Sequence, residues 1–492
     1  APRPAAPLSL TPPPPPPRSL TRARPPAGGL PAAVRRAAAR APPRRPRPPP
    51  PPPPPPPRHP ATPRTTSVTE PHVALADHID RSPTPWHAAS NAAERLAGAG
   101  FTALEPGATW DSVPDRGFVL RDGSLVAWSS PPGAGVAPIR LIGAHTDSPN
   151  LRIRPRPDTG AAGFRQLAVE VYGGALINSW LDRDLALAGR VAVSDPDAPG
   201  GTSHRHFHHR APLLRVPQLA IHLDRGVNDG LTLNKQEHMT PVWGLGEPSE
   251  GEFAAFLATQ VGVDPRDVLA WDVACADAVA PAVIGERGDM LAPPRLDNLA
   301  YCWAAIEAHV GTEAGGDPSV VVLYDHEEVG STSAPGAVGA WLAQVLERVA
   351  VGAGGSHGNL LASLPSSMLL SADMAHGTHP NYRERHEPSH WVALGAGPVI
   401  KHNSNVRYAT DSRSAAAFRL AARSVDVAVQ DYSHRGDIPC GSTIGPLAAA
   451  GLAVDTVDVG APQLSMHSIR ELMATADVST MLAAFGAWFT AR

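Results

Sequence analysis

Short apolar runs that are typical of strands alternate with helical patterns through most of the chain, and this alternation constrains the fold most strongly. The sequence predicts strands at residues 137–145, 319–327, 366–375, 426–433 and 453–459. It predicts helices at residues 297–310, 338–350, 412–423 and 468–490, and two shorter helices within 72–99. Such alternation is typical of an α/β fold with a mixed sheet, in which functional residues gather beyond the carboxyl ends of the strands.

Residues 148–287 have a different pattern, because short β-like pieces are separated there by turn signals. We interpret this segment as a mostly β domain inserted into an α/β domain that comprises residues 67–147 and 288–492. The insertion contains a His-rich stretch, "HRHFHHR", at residues 204–210. This stretch matches no motif, and we expect an exposed loop there rather than a third metal site.

The first 66 residues contain 27 of the 57 prolines and 12 arginines, without Asp, Glu or Lys. Such a segment cannot bury enough apolar surface to offset its chain entropy, so we expect residues 1–66 to be disordered. Its composition, rich in arginine and without acidic residues, weakly resembles that of a transit peptide or a basic arm, but a non-functional extension is the simpler interpretation. Because the whole chain carries −4 and this segment +12, the remainder carries −16, which argues against nucleic-acid binding.

The three cysteines, Cys275, Cys302 and Cys440, lie far apart in the sequence. No pair has the spacing of a metal site or a redox motif, and three thiols without a disulfide framework favour a reducing cytoplasm. No apolar run reaches the ~18 residues that a membrane-spanning helix needs. The sequence therefore predicts a cytoplasmic protein without a membrane partner.

The stretch "VVVLYDHEEVGS", residues 320–331, places two adjacent glutamates where a buried strand should end. Neighbouring residues in a strand point to opposite faces, so one carboxylate would be buried at high cost if it were unpaired. A solvated strand end is the simpler alternative, but the functional interpretation gives the two residues different roles. One would bind a metal, and the other would accept a proton from the attacking water. Gly330 would permit the backbone turn that this arrangement requires.

Four other stretches place metal-type ligands at the ends of predicted elements. His145 and Asp147 follow a strand, where Asp147 could fix the imidazole tautomer, although a capped turn would have the same pattern. Asp297 precedes a helix and could be either an N-cap or a carboxylate that bridges two metals. Asp373 lies at a strand end, and His467 precedes a helix that we predict to begin near Ile469.

Each of these features has an ordinary structural explanation, but their combination favours a hydrolytic site with two metal ions. Two imidazoles and three carboxylates without a cysteine are suited to Zn²⁺, with Mn²⁺ or Co²⁺ as alternatives. In two-metal sites the ions lie about 3.5–4 Å apart and share a bridging carboxylate, for which Asp297 is suited. The sequence therefore predicts two divalent metal ions in each subunit.

From about residue 70 to the C-terminus, the sequence resembles the aspartyl aminopeptidase family of dinuclear zinc exopeptidases. The motifs that carry the resemblance include "GAHTDSPNLRIRP", "SWLDRDLALAGRV", "LAIHLDRGVNDGLTLNKQEH", "LDNLAYCWAA", "DHEEVGSTSAPGA", "SADMAHGTHPNY", "VIKHNSNVRYATD", "CGSTIGP" and "QLSMHSIRE". The resemblance implies an α/β metallopeptidase domain interrupted by a β-rich oligomerisation domain.

The resemblance also implies roles for individual residues. The ligands of one metal would be His145, Asp297 and Asp373, and those of the other would be Asp297, Glu328 and His467. Glu327 would be the general base, and Asp147 would hold His145. Contacts to the substrate or the transition state would come from His376, Lys401 and Tyr408, and His222 would contribute to the active site of a neighbouring subunit.

Family members assemble from dimers into tetrahedral dodecamers that enclose a chamber, so the expected substrates are peptides rather than folded proteins. The expected reaction removes an N-terminal Asp or Glu, with Lys401 contacting the acidic side chain. Three alternatives remain open at this point. They are an aminopeptidase with broad specificity or with a preference for neutral residues such as leucine, a deacetylase-like amidohydrolase with the same metal pair, and a non-catalytic metal-binding assembly.

Overall fold

The computed structural model describes residues 70–130, 137–312 and 317–491. The extension of residues 1–66, which we expect to be disordered, lies outside the described residues. The described α-helices are α1 (Pro71–Arg81), α2 (Pro85–Gly98), α3 (Glu252–Val261), α4 (Leu296–Gly311), α5 (Trp341–Gly352), α6 (His357–Ser363), α7 (Ser412–Arg423), α8 (Ile444–Leu452) and α9 (Thr475–Thr490). None of these helices is long and apolar enough to cross a membrane.

The described strands belong to three sheets. They are β1 (Thr102–Leu104), β2 (Arg116–Arg121), β3 (Ser124–Ser129), β4 (Arg140–His145), β5 (Asn150–Ala161), β6 (Phe164–Tyr172), β7 (Asp184–Ser194), β8 (Thr202–Arg215), β9 (Val242–Leu245), β10 (Val268–Asp277), β11 (Ala282–Ile284), β12 (Met290–Ala292), β13 (Ser319–Tyr324), β14 (Met368–Ala372), β15 (Ala375–His376), β16 (Val399–His402), β17 (Gln430–Ser433), β18 (Asp455–Gly460), β19 (Pro462–Leu464) and β20 (Leu472–Ala474).

The largest sheet has nine strands in the order β1-β2-β3-β13-β4-β14-β18-β16-β17. Its central strands β13, β4, β14 and β18 are parallel, and Tyr324 at the end of β13 pairs with His145 at the end of β4. Because every residue of β13 is buried, this strand has apolar residues on both faces rather than an alternating pattern. The carboxyl ends of the parallel strands therefore meet at one edge of the sheet.

Helices cover both faces of this sheet. Val321 packs into a core with α1, α2, α4, α7 and α9, whereas Val320 and Val322 pack against α5, α6 and α8 on the other face. These faces alternate because successive side chains of a strand point in opposite directions. The predicted mixed-sheet α/β fold is confirmed.

Six antiparallel strands between Asn150 and Asp277 form a closed barrel in the order β10-β5-β6-β9-β8-β7. All six lie inside the segment 148–287 that we predicted to be a β-rich insertion. The barrel has its own apolar core, to which Phe207 and Phe253 contribute. The prediction of a loop at residues 204–210 was wrong, because this stretch belongs to β8 and pairs with β7. Phe207 faces the core while its histidine neighbours face outward, so the stretch has the alternation of a half-buried strand.

The third sheet has the order β11-β12-β20-β19-β15. It corrects another prediction, because no helix begins near Ile469. His467 lies in the turn between β19 and β20, and helix α9 begins only at Thr475. Leu472–Ala474 form a strand because they pair with both β12 and β19, which is a tertiary contact that a local helical pattern does not reveal.

Candidate active site

The edge where the central parallel strands end brings the predicted ligands together. His145 is the last residue of β4, Asp373 follows β14, and Glu327 and Glu328 lie in a 3₁₀ turn just after β13. The turn begins with His326 in the left-handed region, at φ 68°, and ends at Gly330, at φ 96°. The strained backbone at the end of β13 therefore turns both glutamates away from the buried sheet and into the site.

The carboxylate of Asp297 lies between the two imidazoles. Its Oδ1 is 3.3 Å from His145 Nε2, and its Oδ2 is 3.6 Å from His467 Nε2. His145 Nε2 also lies 3.7 Å from Asp373 Oδ2, and His467 Nε2 lies 3.4 Å from Glu328 Oε2. His145 and Asp373 thus lie on the Oδ1 side of Asp297, and His467 and Glu328 lie on its Oδ2 side.

The residues of this cluster fit bound zinc. Ligand atoms of His145, Asp297 and Glu328 all lie within 4.8 Å of one another. Asp297 Oδ1 and Glu328 Oε1 are buried and have no hydrogen-bond partner among the described residues. Buried carboxylate oxygens without a donor are costly, and a cation would satisfy them. The donor set of oxygen and imidazole nitrogen, without sulfur, suits Zn²⁺.

The electrostatics of the cluster also favour a cation. Burial, together with neighbouring carboxylates, raises the pKa of Glu327 to about 8 and that of Glu328 well above its usual range. Burial alone would lower the pKa of His145, but the neighbouring carboxylates of Asp147, Asp297 and Asp373 raise that pKa well above its ordinary value. The protein groups therefore carry an excess of negative charge that divalent ions would balance.

Asp147 connects three parts of the site. Its carboxylate accepts hydrogen bonds from the backbone N–H groups of Glu327 (3.0 Å) and Glu328 (3.1 Å) and from the hydroxyl of Tyr172 (2.7 Å). His145 Nδ1 lies 3.0 Å from the backbone oxygen of Asp147 and 3.4 Å from its Oδ1. Asp147 therefore orients an imidazole and both glutamates at once.

Two residues of this framework were missed by the sequence reasoning. Tyr172, at the end of barrel strand β6, reaches Asp147. Glu471 is 3% exposed, and its carboxylate accepts hydrogen bonds from the backbone N–H groups of His467 and Asp297. Glu471 lies four residues after His467 in a motif that we had noted, but nothing in its spacing indicates that it joins two loops. No sequence pattern around Tyr172 indicated that it contacts the site.

Lys401 is fully buried beside Asp373. Its Nζ donates to the Asp373 carbonyl oxygen (2.9 Å), to Asp373 Oδ1 (3.0 Å) and to the Met374 carbonyl oxygen (3.3 Å). Burial alone would raise the pKa of Asp373, but the Lys401 ammonium lowers it below its usual range. All three N–H groups of Lys401 are thus engaged by the protein, and none is directed to an acidic substrate.

The other predicted substrate contacts differ in position. Tyr408 is buried, and its ring centroid lies 5.1 Å from Lys401 Nζ. His376 is half-buried, and burial, together with the charge of Lys401, lowers its pKa to about 4. His222 is instead exposed, in the segment between β8 and β9. Among the described residues, no hydrogen bond or ion pair joins His222 to the metal-ligand cluster.

Comparison with known proteins places the chain in a defined family. Residues 78–489 match the family described as aminopeptidase I zinc metalloprotease, M18. A probable M18 family aminopeptidase 2 of Mycobacterium leprae is 49% identical over 420 residues, which cover 85% of this chain and 98% of the relative. The Streptomyces avermitilis protein with the same description is 47% identical over 416 residues, or 82% of this chain and 94% of the relative.

Solved structures show the same fold. A chain in the cryo-EM structure of an Ape4 and Nbr1 complex matches with a TM-score of 0.81 at 35% identity, covering 85% of each chain. The S. cerevisiae mApe1 dodecamer matches with a TM-score of 0.74 at 27% identity, covering 85% of this chain and 96% of that one. These findings favour an enzyme over a non-catalytic metal-binding assembly and confirm the resemblance that the motifs carry. The chain belongs to the M18 family of zinc metalloproteases, the aminopeptidase I family, and is a zinc aminopeptidase.

Proposed function

We propose that this M18 aminopeptidase removes acidic residues, Asp or Glu, from the N-termini of peptides and that Glu327 is its general base. The observation that carries the catalytic part is the relation between Glu327 and Glu328. Glu328 Oε2 lies 3.4 Å from the imidazole of His467, whereas the Glu327 carboxylate makes none of the contacts that join the five ligand residues. A carboxylate held beside a metal cluster without joining it is suited to proton transfer.

The same geometry supports a proposed set of metal ligands. His145, Asp297 and Asp373 would hold one ion, and Asp297, Glu328 and His467 would hold the other. Zinc is the expected metal, with Mn²⁺ or Co²⁺ as alternatives. When bound, a metal pair polarises the scissile carbonyl and lowers the pKa of the water nucleophile.

The protein's own residues would complete the reaction. Glu327 accepts the proton of the attacking water and delivers it to the leaving amine. Asp147 keeps the Glu327 backbone and the His145 imidazole in place during this transfer. His376 and Tyr408 are the proposed donors to the oxyanion, because hydrogen bonds fixed in a buried site cost little reorganisation.

The side-chain preference rests on opposing observations. The positive charge of Lys401 acts on His376, and a positive potential there favours an acidic side chain. The three hydrogen bonds that Lys401 makes to Asp373 and Met374 favour the alternative, a preference for neutral residues such as leucine. In that alternative Lys401 acts through Asp373 and not through the substrate.

We further propose that the chain self-associates, with dimers assembling into a tetrahedral dodecamer that admits peptides. One solved relative is described as a dodecamer. Leu219, Ile221 and Leu223 are exposed in the segment that carries His222, and a solvent-facing group of large apolar side chains is typical of an interaction surface. There His222 would reach the active site of a neighbouring subunit. The free thiols Cys275, Cys302 and Cys440 favour a cytoplasmic location.

A comparison of two dipeptides tests the proposed function. Release of aspartate from Asp-Ala and of leucine from Leu-Ala would be measured with and without chelator, for the wild type and for Glu327→Gln, with bound zinc counted in both. Chelator-sensitive aspartate release that is lost in Glu327→Gln at an unchanged zinc content is the expected result. Faster leucine release would establish the neutral preference, and release of acetate from an N-acetylated amino acid alone would point to an amidohydrolase. Full activity of Glu327→Gln would show that Glu327 is not the general base.

A further inference from the structure

An arginine and two aromatic side chains meet where the barrel contacts helix α2. They are Trp86 of α2, Arg152 of barrel strand β5 and Tyr172 of barrel strand β6. The Arg152 Cζ atom lies 5.3 Å from the centroid of the Trp86 ring and 4.2 Å from that of the Tyr172 ring. Both distances are within the range of a cation–π interaction. The guanidinium of Arg152 therefore contacts two aromatic rings at once.

The pairing of β5 with β6 explains why Arg152 reaches Tyr172. Tyr172 pairs with Asn150, which lies two residues before Arg152, so Arg152 and Tyr172 are diagonal neighbours on one face of the sheet. Diagonal neighbours are within reach of each other when one side chain is long and the other aromatic. Leu151 and Ile153 are buried in the barrel core, so the side chain of Arg152 extends from the outer face of the barrel.

The charge of Arg152 is buried at a cost. Its Nε and Nη2 atoms are buried, and neither has a hydrogen-bond partner among the described residues. A second arginine, Arg190, lies 4.7 Å from the Trp86 ring centroid, but it is paired with Asp122 and Asp272. Because a buried cation without such partners is unfavourable, packing alone does not explain an arginine at position 152. A role for its positive charge is the better explanation.

The ring below this charge carries the hydroxyl that holds Asp147. Burial and the charge of Asp147 raise the pKa of Tyr172 above its ordinary value, and the charge of Arg152 opposes this rise. The phenol therefore stays protonated and donates its hydrogen bond to Asp147 Oδ2, at 2.7 Å. A cation over the ring polarises the phenol and makes its O–H group a stronger donor, because charges act strongly on one another in a buried site.

Asp147 passes this effect on to the active site. Its carboxylate also accepts hydrogen bonds from the backbone N–H groups of Glu327 and Glu328, at 3.0 and 3.1 Å. The position of Asp147 therefore sets the position of the turn after β13. Arg152 acts on this turn through Tyr172 and Asp147 in sequence, as a positioning residue does.

We propose that Arg152 is a positioning residue of this aminopeptidase. Its positive charge over the Tyr172 ring strengthens the hydrogen bond that holds Asp147 and, through Asp147, the backbone of Glu327. The inference rests on the proposed role of Glu327 as general base. It requires the charge of Arg152 and not only the bulk of its side chain, and it requires the hydroxyl of Tyr172. These two requirements distinguish it from a packing role between α2 and the barrel.

Steady-state kinetics of the full chain test the requirement for charge. The substrate would be whichever of Asp-Ala and Leu-Ala the wild type hydrolyses faster, with zinc saturating and the bound zinc counted. Arg152→Met should lower kcat roughly tenfold, with KM changed less than about twofold. Arg152→Lys keeps a cation near the ring and should lower kcat less than about threefold. Arg156→Met, which removes an exposed arginine of the same strand, should keep the wild-type kcat.

A double-mutant cycle tests the requirement for the hydroxyl. Tyr172→Phe leaves no O–H group to polarise, so in this background Arg152→Met should lower kcat by less than about twofold. Arg152→Gln is a second neutral variant, which keeps a polar end and should behave as Arg152→Met does. Independent losses that multiply in the double variant would overturn the proposal. Equal kcat in Arg152→Lys and the two neutral variants would overturn it too, as would full recovery of kcat on addition of Zn²⁺.

Glu327→Gln in the same assay separates this inference from the proposed function. Full activity of Glu327→Gln would refute the proposed base and, with it, the last step of the inference. Wild-type kcat in Arg152→Met and Arg152→Gln, beside an inactive Glu327→Gln, would overturn the inference alone and leave the proposed base in place.

Discussion

The carboxylate of Glu471 accepts two backbone hydrogen bonds. The N–H of His467 donates to Oε1 (2.7 Å), and the N–H of Asp297 donates to Oε2 (3.0 Å). Two ligand-bearing loops that are far apart in the sequence are thereby fixed to one buried side chain. His467 itself has a positive φ of 68°, a conformation that needs support from its surroundings. Glu471 provides that support.

Replacement of Glu471 by glutamine should weaken metal binding. The amide oxygen of glutamine can accept a hydrogen bond from one of the two backbone N–H groups. Its NH₂ group would face the other N–H, and two donors cannot bond to each other. Loss of such an outer partner costs roughly 10–100-fold in metal affinity or activity. Chelator competition would measure the change, with the exposed Glu250→Gln as a matched control. Unchanged metal affinity in Glu471→Gln would contradict this role.

Tyr172→Phe should lower activity while metal remains bound. The variant loses the hydrogen bond to Asp147 Oδ2 but leaves the two backbone donors of the turn after β13 in place. A hydrogen bond to a charged group contributes about 1.5–3 kcal/mol, so kcat/KM should fall roughly tenfold or more. The exposed Tyr382→Phe serves as the control. If both variants keep full kcat/KM, the barrel does not position Asp147.

Lys401→Met should reduce the hydrolysis of acidic and neutral substrates alike if Lys401 acts by holding Asp373. Its three hydrogen bonds all go to Asp373 and Met374. Removing the ammonium leaves a buried carboxylate partly unpaired, which costs about 1–3 kcal/mol or more. The ratio of kcat/KM for Asp-Ala and Leu-Ala is the decisive measurement. A loss confined to Asp-Ala would restore the direct contact with an acidic side chain that the sequence had suggested.

The buried His309 should make the fold sensitive to acid. Burial, together with the charge of Arg116, lowers the pKa of His309 to about 3, whereas an unfolded histidine titrates near 6.5. The folded state therefore keeps this ring neutral, and its contribution to stability is present above pH 6.5. Below that pH the unfolded state binds the extra proton, so stability falls by up to about 1.4 kcal/mol for each pH unit.

Unfolding by denaturant at pH 7.5 and pH 5.5 would measure this effect. His309→Gln retains a group that can bond Ser319 Oγ, to which the imidazole Nε2 lies at 3.1 Å, but it does not titrate. The variant should therefore lose less stability between the two pH values than the wild type. His204→Gln, at an exposed position, should behave as the wild type. An equal loss in all three proteins would show that His309 does not contribute to acid sensitivity.

The positions of His145, Asp373 and the two glutamates could be read from the sequence because each follows a recognisable strand. His145, Asp373 and the two glutamates come after apolar runs, and parallel strands bring such ends to one edge. The sequence could not show that Tyr172 and Glu471 support these ligands, since their partners are distant in the chain. Nor could the sequence show that Lys401 Nζ donates three hydrogen bonds to Asp373 and Met374, since these contacts depend on tertiary packing.

The errors at residues 204–210 and after His467 have a common cause. Both stretches are strands held by pairing, with β7 in one case and with β12 and β19 in the other, and local composition suggested a loop in the first case and a helix in the second. A strand is stabilised by its neighbours more than by its own residues. Helices such as Ser412–Arg423, with its Asp411 capping box, were predicted closely because their signals are local.

The pairing of β13 with β4, and of β4 with β14, also has a consequence for how the protein folds. These pairs join residues near 140, 320 and 370, so the sheet edge exists only after long loops have closed. Non-local parallel pairing is slow to form, and the unfolded chain has no assembled metal cluster to nucleate it. Zinc should therefore leave the early refolding rate unchanged and instead slow unfolding, because it binds the completed native state.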